Sequence, residues 1–274
     1  MTKWGIIGTG NMGSMLLESW VTARAIQEED IMVLNRSAEK AVALKRSYPG
    51  IQIADALSTI ADYADYLFLC VRPPHLPGVC SELYSLVRPD QVIVSITSPF
   101  SVEELETRLP SQVARAIPSI TNRAAAGTTL LTFGSTLTNK NKAALINLFS
   151  SYSDPVYIPE DITRVASDIV SCGPAFFSYL AQRFIEGAAE ETDISREQAT
   201  QLTAEMLIGL GTLLGKGHYT LDELIKKVCV KGGITGEGIA VLEKETGGMF
   251  SHLFQATHRK YYEEKDAIKK GAYK

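Results

Sequence analysis

A short apolar run, Lys3-Trp4-Gly5-Ile6-Ile7, passes directly into Gly8-Thr9-Gly10-Asn11-Met12-Gly13 and then into a helical pattern, and no other stretch limits the possible folds as much. Glycines at these spacings suit a strand that turns sharply into a helix beneath a pyrophosphate. Gly8 permits the tight turn, Gly10 lets the backbone approach the ligand, and Gly13 lets the helix pack closely on the strand. The helix start supplies the anion site, through N–H groups without intrahelical acceptors and the positive end of the helix dipole. The same glycines also occur in an ordinary strand-turn-helix, so the flanking pattern decides. Met15-Leu16-Leu17 and Trp20-Val21 recur at helical spacing, and Ile31-Met32-Val33-Leu34 follows where a β-α-β unit needs its second strand. Gly8, Thr9, Gly10, Asn11 and Met12 are therefore expected to bind a dinucleotide.

The pattern continues as a doubly wound sheet to about residue 155. Further strands are predicted at Ile51-Gln52-Ile53, Tyr66 to Val71, Gln91 to Ser95, Val113 to Ile117, Thr128 to Phe133 and Val156-Tyr157-Ile158, with helices over Asn35 to Tyr48 and Thr138 to Tyr152. Beyond about residue 160 strand signals stop. Pro159-Glu160-Asp161 introduces a helical half, and Gly173-Pro174 opens a run with Phe176, Phe177, Leu180, Phe184 and Ile185 on one apolar face. Ser195 with Gln198, and Thr220 with Glu223, are capping-box helix starts. The expected class is α/β, with a dinucleotide-binding domain at 1–159 and an all-helical domain at 160–274. A helical domain of this size has little room to hide such stripes internally, so burial between subunits is expected.

A formal net charge of −4 without a long basic run argues against nucleic acid as a partner and leaves small molecules as the expected ligands. Cys70, Cys80, Cys172 and Cys229 show no paired short spacing, so neither disulfides nor a metal site is expected, and His75, His218, His252 and His258 are scattered without metal spacing. The longest apolar runs are strand-sized, which predicts no membrane span. The first strand begins within a few residues of Met1, so the expectation is a reduced, cytoplasmic protein without a leader.

The end of the second strand selects between nicotinamide cofactors because the adenosine ribose lies against it. Leu34-Asn35-Arg36-Ser37 offers no carboxylate for a free 2′-hydroxyl, whereas Arg36 can pair with a phosphate and Asn35 and Ser37 can hydrogen-bond it. NADPH is expected over NADH, with NADH still possible. The alternative is a solvated Arg36 and a Ser37 that only caps the next helix, although Lys40 three residues on completes no capping box. Val71-Arg72-Pro73-Pro74 ends another strand abruptly, so Val71, Arg72 and Pro73 are expected along the cofactor cleft. Ser95 to Pro99 and Ile117 to Asn122 are two more strand ends, equally readable as proline turns.

A second glycine cluster, Val228-Cys229-Val230-Lys231-Gly232-Gly233-Ile234-Thr235-Gly236-Glu237-Gly238, stands in the helical half as a loop feeding a helix. Amides there can hold a carboxylate, and the Thr235 hydroxyl can bond a reacting nitrogen. A plain Gly-Gly turn with Thr235 as N-cap is the competing interpretation.

Together these landmarks resemble the pyrroline-5-carboxylate reductase family. Ile6 to Gly13 is similar to the family's Ile-Gly-x-Gly-Asn-Met opening, Asn35-Arg36-Ser37 to its second-strand end, and Val71-Arg72-Pro73 to its Val-Lys-Pro. Cys172-Gly173-Pro174-Ala175 is similar to its Ser-Gly-Pro-Ala, and Gly232-Gly233-Ile234-Thr235 with Leu242-Glu243 to its C-terminal signature. The resemblance implies a Rossmann domain, a helical dimerisation and substrate-binding domain, a homodimer or higher homo-oligomer, and reduction of 1-pyrroline-5-carboxylate to proline. It implies that Thr235 is catalytic, bonding the imine nitrogen, and that the amides around Gly232, Gly233 and Ile234 bind the substrate carboxylate. A protonated imine is already electrophilic and needs positioning more than a strong acid.

The departures cluster. Val230-Lys231 stands where the family has Ser-Pro, Pro118-Ser119-Ile120-Thr121 where it has Pro-Asn-Thr-Pro, and Ser98-Pro99 where it has Ala-Gly. Lys231 either adds a cationic anchor for the carboxylate or only replaces a rim proline. These changes resemble a divergent branch that a late competence protein also resembles, which gives a second expectation: a catalytically weakened NADP-binding member with a regulatory or assembly role in competence or development. A β-hydroxyacid dehydrogenase ranks below both, because Ser171 to Phe176 offers neither the lysine nor the asparagine that chemistry expects.

Overall fold

The computed structural model describes residues 1–270. Its sheet contains β1 (Trp4–Ile7), β2 (Ile31–Leu34), β3 (Gln52–Ile53), β4 (Tyr66–Leu69), β5 (Val92–Ser95), β6 (Gln112–Ile117), β7 (Thr128–Phe133) and β8 (Asp154–Tyr157), in the order β3-β2-β1-β4-β5-β6-β7-β8. The helices α1 (Asn11–Thr22), α2 (Ala38–Ser47), α3 (Leu57–Tyr63), α4 (Leu76–Leu83), α5 (Val102–Glu106) and α6 (Asn139–Ser150) lie between strands. They are followed by α7 (Thr163–Ser167), a π-helical turn (Asp168–Cys172), α8 (Gly173–Glu191), α9 (Arg196–Gly215), α10 (Leu221–Val228), α11 (Ile234–Thr246) and α12 (Met249–Lys269). No described helix is long and apolar enough to cross a membrane.

The strands from β3 to β6 pair in parallel. A parallel sheet is covered on both faces, which is why these strands read as continuous apolar runs. Neighbouring residues serve opposite faces: Ile6, Phe68 and Val94 join one core cluster, while Ile7, Leu67, Leu69 and Ile93 join the other. On the first face Trp20 is fully buried, meets Phe68 edge-on at 4.8 Å, and donates its indole N–H to the Tyr152 hydroxyl at 3.2 Å. All eight expected strands are present. The link from Ile117 to Thr128 holds only a 3-10 turn at Ile120–Ala124, too short for a crossover helix, so β7 returns antiparallel to β6.

Two helix starts follow the predicted chemistry: Ser195 with Gln198, and Thr220 with Glu223, form reciprocal capping boxes. Helix α2 begins at Ala38 rather than Asn35, because Asn35 to Ser37 forms the turn that leaves β2.

The described residues form two compact units, one of Met1–Gly173 with residues 257–270, the other of Pro174–Ala256. The division falls later than the 159/160 boundary expected from sequence. Residues 160–173 pack on the sheet, where Ala166 and Val170 lie against Ile117, Leu130 and Ile158. The fully buried Arg115 guanidinium also draws them in. It donates to both Glu160 carboxylate oxygens at 2.7 and 3.0 Å, to Thr163 Oγ1 at 2.5 Å and to the Phe100 carbonyl at 3.1 Å. In the helical unit the apolar stripes lie open in the single chain, with Phe184 66%, Leu202 63% and Ile208 62% exposed. Faces this apolar mark an interaction surface.

A Cβ placed on Gly13 would collide with the Gly8 carbonyl oxygen and stand 3.2 Å from Cys70 Cβ. Gly13→Ala is expected to cost about 1–3 kcal/mol, as forced overpacking does, read as a lowered midpoint in urea unfolding.

Candidate functional site: a dinucleotide cleft and a glycine-led helix start

Strand order reverses between β1 and β4, and in open sheets of this kind ligands bind outside the carboxyl ends of the strands at that reversal. A cleft of about 780 Å³ lies there, lined by Ile7, Gly8, Gly10, Leu34, Asn35, Arg36, Lys40, Asp55, Cys70, Val71, Arg72, Pro74 and His75 among others. A hollow of about 460 Å³ shares Gly10 and Lys40 with it and is lined also by Thr9, Asn11 and Ser14. Between them the two cavities collect most of the residues expected to bind a dinucleotide.

The glycine turn is held by its neighbours. Gly8 has φ +99°, its N–H donates to the Leu34 carbonyl at 2.8 Å, and the Cys70 N–H donates to the Ile7 carbonyl at 2.8 Å. A Cβ on Gly8 would stand 2.6 Å from the Cys70 carbonyl oxygen, so the turn passes against β4 with no room for a side chain. Gly10 is different: a Cβ there would meet nothing within 4 Å. The protein does not need this glycine for its own packing, and the open space is what a closely approaching phosphate requires. Thr9 supplies a second sign of a ligand, because its hydroxyl oxygen is buried without a hydrogen-bond partner. Buried polar groups are normally paired, so an orphan beside a helix start fits an anion. Burial pushes the Cys70 thiol up, leaving a neutral thiol in the cleft wall.

Several expected residues take different parts. Asn35 lines the cleft, but its amide is engaged: Oδ1 accepts from the Thr9 N–H at 3.1 Å and Nδ2 donates to the Ser37 carbonyl at 2.9 Å. It ties the glycine turn to the end of β2. Ser37 precedes α2 without a side-chain capping bond and is exposed. Met12 packs against the core rather than lining either cavity. Pro73 opens the 3-10 turn Pro73–His75 and does not line the cleft, whereas Pro74 and Pro77 do. Lys40 and His75 are cleft residues that the motifs did not announce. Lys40 lies in the first turn of α2, three residues after its N-cap Ser37, and a cation at the helix start that follows β2 is the signal that could have found it. His75 is held by Arg72, whose Nη2 lies 3.2 Å from its Nε2.

The two divergent strand ends are closed by bonds to residues distant in the chain. Ser98 accepts from the Tyr261 hydroxyl through its carbonyl at 3.2 Å, and Ser119 Oγ donates to the Val170 carbonyl at 2.8 Å.

In the helical unit, Lys231, Gly232, Gly233, Ile234 and Thr235 form the turn into α11. Gly232 has φ +74°, Gly233 is the N-cap, and Ile234 is 92% exposed. Thr235 is therefore not the N-cap of the competing interpretation but the second helical residue. It is exposed, and its hydroxyl has no hydrogen bond to a described residue. The Gly233 N–H already donates to the Val230 carbonyl at 2.9 Å, which leaves Ile234 and Thr235 as first-turn amides without intrahelical acceptors. Lys231 is exposed beside them.

Residues 160–264 match the family model for pyrroline-5-carboxylate reductase dimerisation, and residues 3–99 the model for NADP oxidoreductase, coenzyme F420-dependent. Pyrroline-5-carboxylate reductase 3 of Bacillus subtilis (strain 168) is 30% identical over 262 residues, covering 95% of this chain and 96% of its own. The chain belongs to the pyrroline-5-carboxylate reductase family. ComE operon protein 4 of the same organism is 47% identical and covers 98% of both chains. The crystal structure of Plasmodium falciparum pyrroline carboxylate reductase with NADP bound has the same fold, with a TM-score of 0.82, 20% identity and coverage of 97% of this chain and 98% of that one. The strand order and the helical second unit are thus family architecture, an N-terminal NADP-type oxidoreductase domain followed by a dimerisation domain.

The contrast between Gly10 and Gly13 is directly testable. Gly10→Ala is expected to lower the unfolding free energy by no more than about 1 kcal/mol, the cost of alanine at the N-cap of α1, while weakening nicotinamide dinucleotide binding about tenfold or more in fluorescence titration.

Proposed function

We propose that this chain is an NADPH-dependent imine reductase that converts 1-pyrroline-5-carboxylate to proline. The observation that carries this reading is the start of α11, where a threonine hydroxyl and two first-turn amides stand exposed and unpaired behind a left-handed glycine. Such a helix start suits a carboxylate, with Lys231 as an added cation, and Thr235 can donate to the ring nitrogen. On the sheet unit, Gly8, Thr9 and Gly10 would hold the pyrophosphate, while Arg36 and Lys40 would hold a 2′-phosphate. NADPH, when bound, supplies the hydride that the imine carbon accepts. The chain's residues bind the carboxylate, orient the imine and keep the nitrogen hydrogen-bonded, which is the positioning a protonated imine needs. The exposed apolar faces of the helical unit support a homodimer or larger homo-oligomer, and a cytoplasmic location suits this substrate and cofactor.

A second reading has its own support. The 47% identity to ComE operon protein 4, together with the altered strand ends at Ser98-Pro99 and Pro118-Ser119, favours a cofactor-binding member with weakened catalysis and a regulatory or assembly role in competence.

Two measurements separate and test these readings. NADPH oxidation with 1-pyrroline-5-carboxylate is expected in the wild type, and Thr235→Ala is expected to lower kcat/KM about a hundredfold with NADPH affinity retained. NADPH binding without turnover in the wild type favours the second reading. Arg36→Ala combined with Lys40→Ala is expected to weaken NADPH about tenfold or more and NADH by less than about twofold, because only the former carries the phosphate. Equal losses for both cofactors contradict the assignment of these cations.

A further inference from the structure

A buried carboxylate outside the cleft opens the π-helical turn. Asp168 is 1% exposed, so protein groups rather than water must satisfy it. Arg164, one helical turn earlier, donates from Nη2 to Oδ1 at 2.7 Å. Thr257 of α12 donates its hydroxyl to Oδ2 at 2.8 Å, and His258 Nε2 stands 3.6 Å from the same oxygen. With its charge balanced in this way, Asp168 fixes the Arg164 guanidinium in one orientation.

That guanidinium reaches past the carboxylate. Its Nη1 donates to Ser98 Oγ at 3.4 Å, in the turn that leaves β5. Helix α12 grips the same residue by its backbone: the Tyr261 hydroxyl donates to the Ser98 carbonyl at 3.2 Å, and the Tyr261 ring centroid is 5.5 Å from Arg164 Cζ. Burial pushes the Tyr261 hydroxyl up, so it remains a neutral donor. The next strand end is stitched to the same π-helical turn, with Ser119 Oγ donating to the Val170 carbonyl and Ser171 Oγ to the Pro118 carbonyl, both at 2.8 Å. Side chains rather than a backbone ladder therefore hold both turns. Strand ends beyond the reversal, β4 to β6, take the second mononucleotide of a dinucleotide.

We propose that Arg164, locked by Asp168, and Tyr261 of α12 are positioning residues that hold the Thr97-Ser98-Pro99 turn and thereby fix where the nicotinamide half of the dinucleotide rests. What is positioned rests on the cofactor reading above; the hydrogen bonds belong to the chain alone. The π-helical geometry fits this role, since such turns occur frequently at functional sites. The last helix of the chain, assigned from sequence wholly to the helical half, thus contributes to the dinucleotide domain.

The test uses Tyr261→Phe, which keeps the ring and removes only the donor, with Arg164→Lys as a second variant that keeps the charge. Hydrogen exchange on the ligand-free protein is expected to quicken about tenfold at Thr97 and Ser98, with the rest of the sheet protected as in the wild type. NADPH should bind both variants within about twofold of the wild-type Kd, because the adenosine contacts are untouched, while the emission of the bound reduced nicotinamide changes. With 1-pyrroline-5-carboxylate, kcat should fall about tenfold at nearly constant KM for the imine. Wild-type exchange at the turn together with wild-type emission in both variants overturns the proposal. So does a uniform loss of protection across the sheet, which would make these residues merely structural. Absence of turnover in the wild type counts against the reductase reading alone, since exchange and emission still decide the positioning role.

Discussion

The close approach of the Gly8 turn to its neighbouring strands is the constraint on which the rest of the molecule depends. Gly8 lies between the ends of β2 and β4, bonded to Leu34 and pressed on the Cys70 carbonyl, and Gly13 seats α1 against the same turn. Only residues without a Cβ fit there. Because the strand ends are thereby aligned, the cleft opens at the reversal of strand order, and the cations at Arg36, Lys40 and Arg72 arrive on its rim without long loops. Gly10 then has the opposite property, space on its outer side.

Beyond the cleft the fold is held by buried charge satisfied across long sequence separations. Arg115 in β6 is neutralised by Glu160, and Asp168 by Arg164 with help from Thr257. Removing one partner from such a pair strands the other without water, at a cost of about 3–5 kcal/mol when both are buried. Glu160 is 42% exposed, so that cost is smaller for its pair with Arg115. These pairs also explain why the segment after β8, together with the end of α12, belongs with the sheet. The parallel sheet alone leaves the carboxyl ends of β5 and β6 as free turns; Arg164 of α7 with Tyr261 of α12 closes the first, and the π-helical turn closes the second.

Much of this was legible in the residues themselves. Glycine spacing encodes a steric requirement, capping boxes encode a helix start, and apolar runs of strand length encode a covered sheet, so each could be read without its neighbours. What stayed hidden depends on partners distant in the chain. The compact units divide after Gly173 rather than after Pro159 because Arg115 and the Ile117 cluster draw residues 160–173 onto the sheet. Asn35 could be recognised as a cleft residue, but not as the tie between Thr9 and Ser37, since its amide serves either role. At the second glycine cluster the sequence left two readings of Thr235, an N-cap of α11 or a ligand-binding hydroxyl. The backbone makes Gly233 the cap and frees Thr235.

The proposed reaction is hydride reduction of a cyclic imine carboxylate. The most direct measurement is mass spectrometry of the product after incubation with 1-pyrroline-5-carboxylate and NADPH carrying deuterium at the transferable position of the nicotinamide. The account predicts proline with one deuterium at the former imine carbon. Tight NADPH binding with no deuterated proline formed would contradict it.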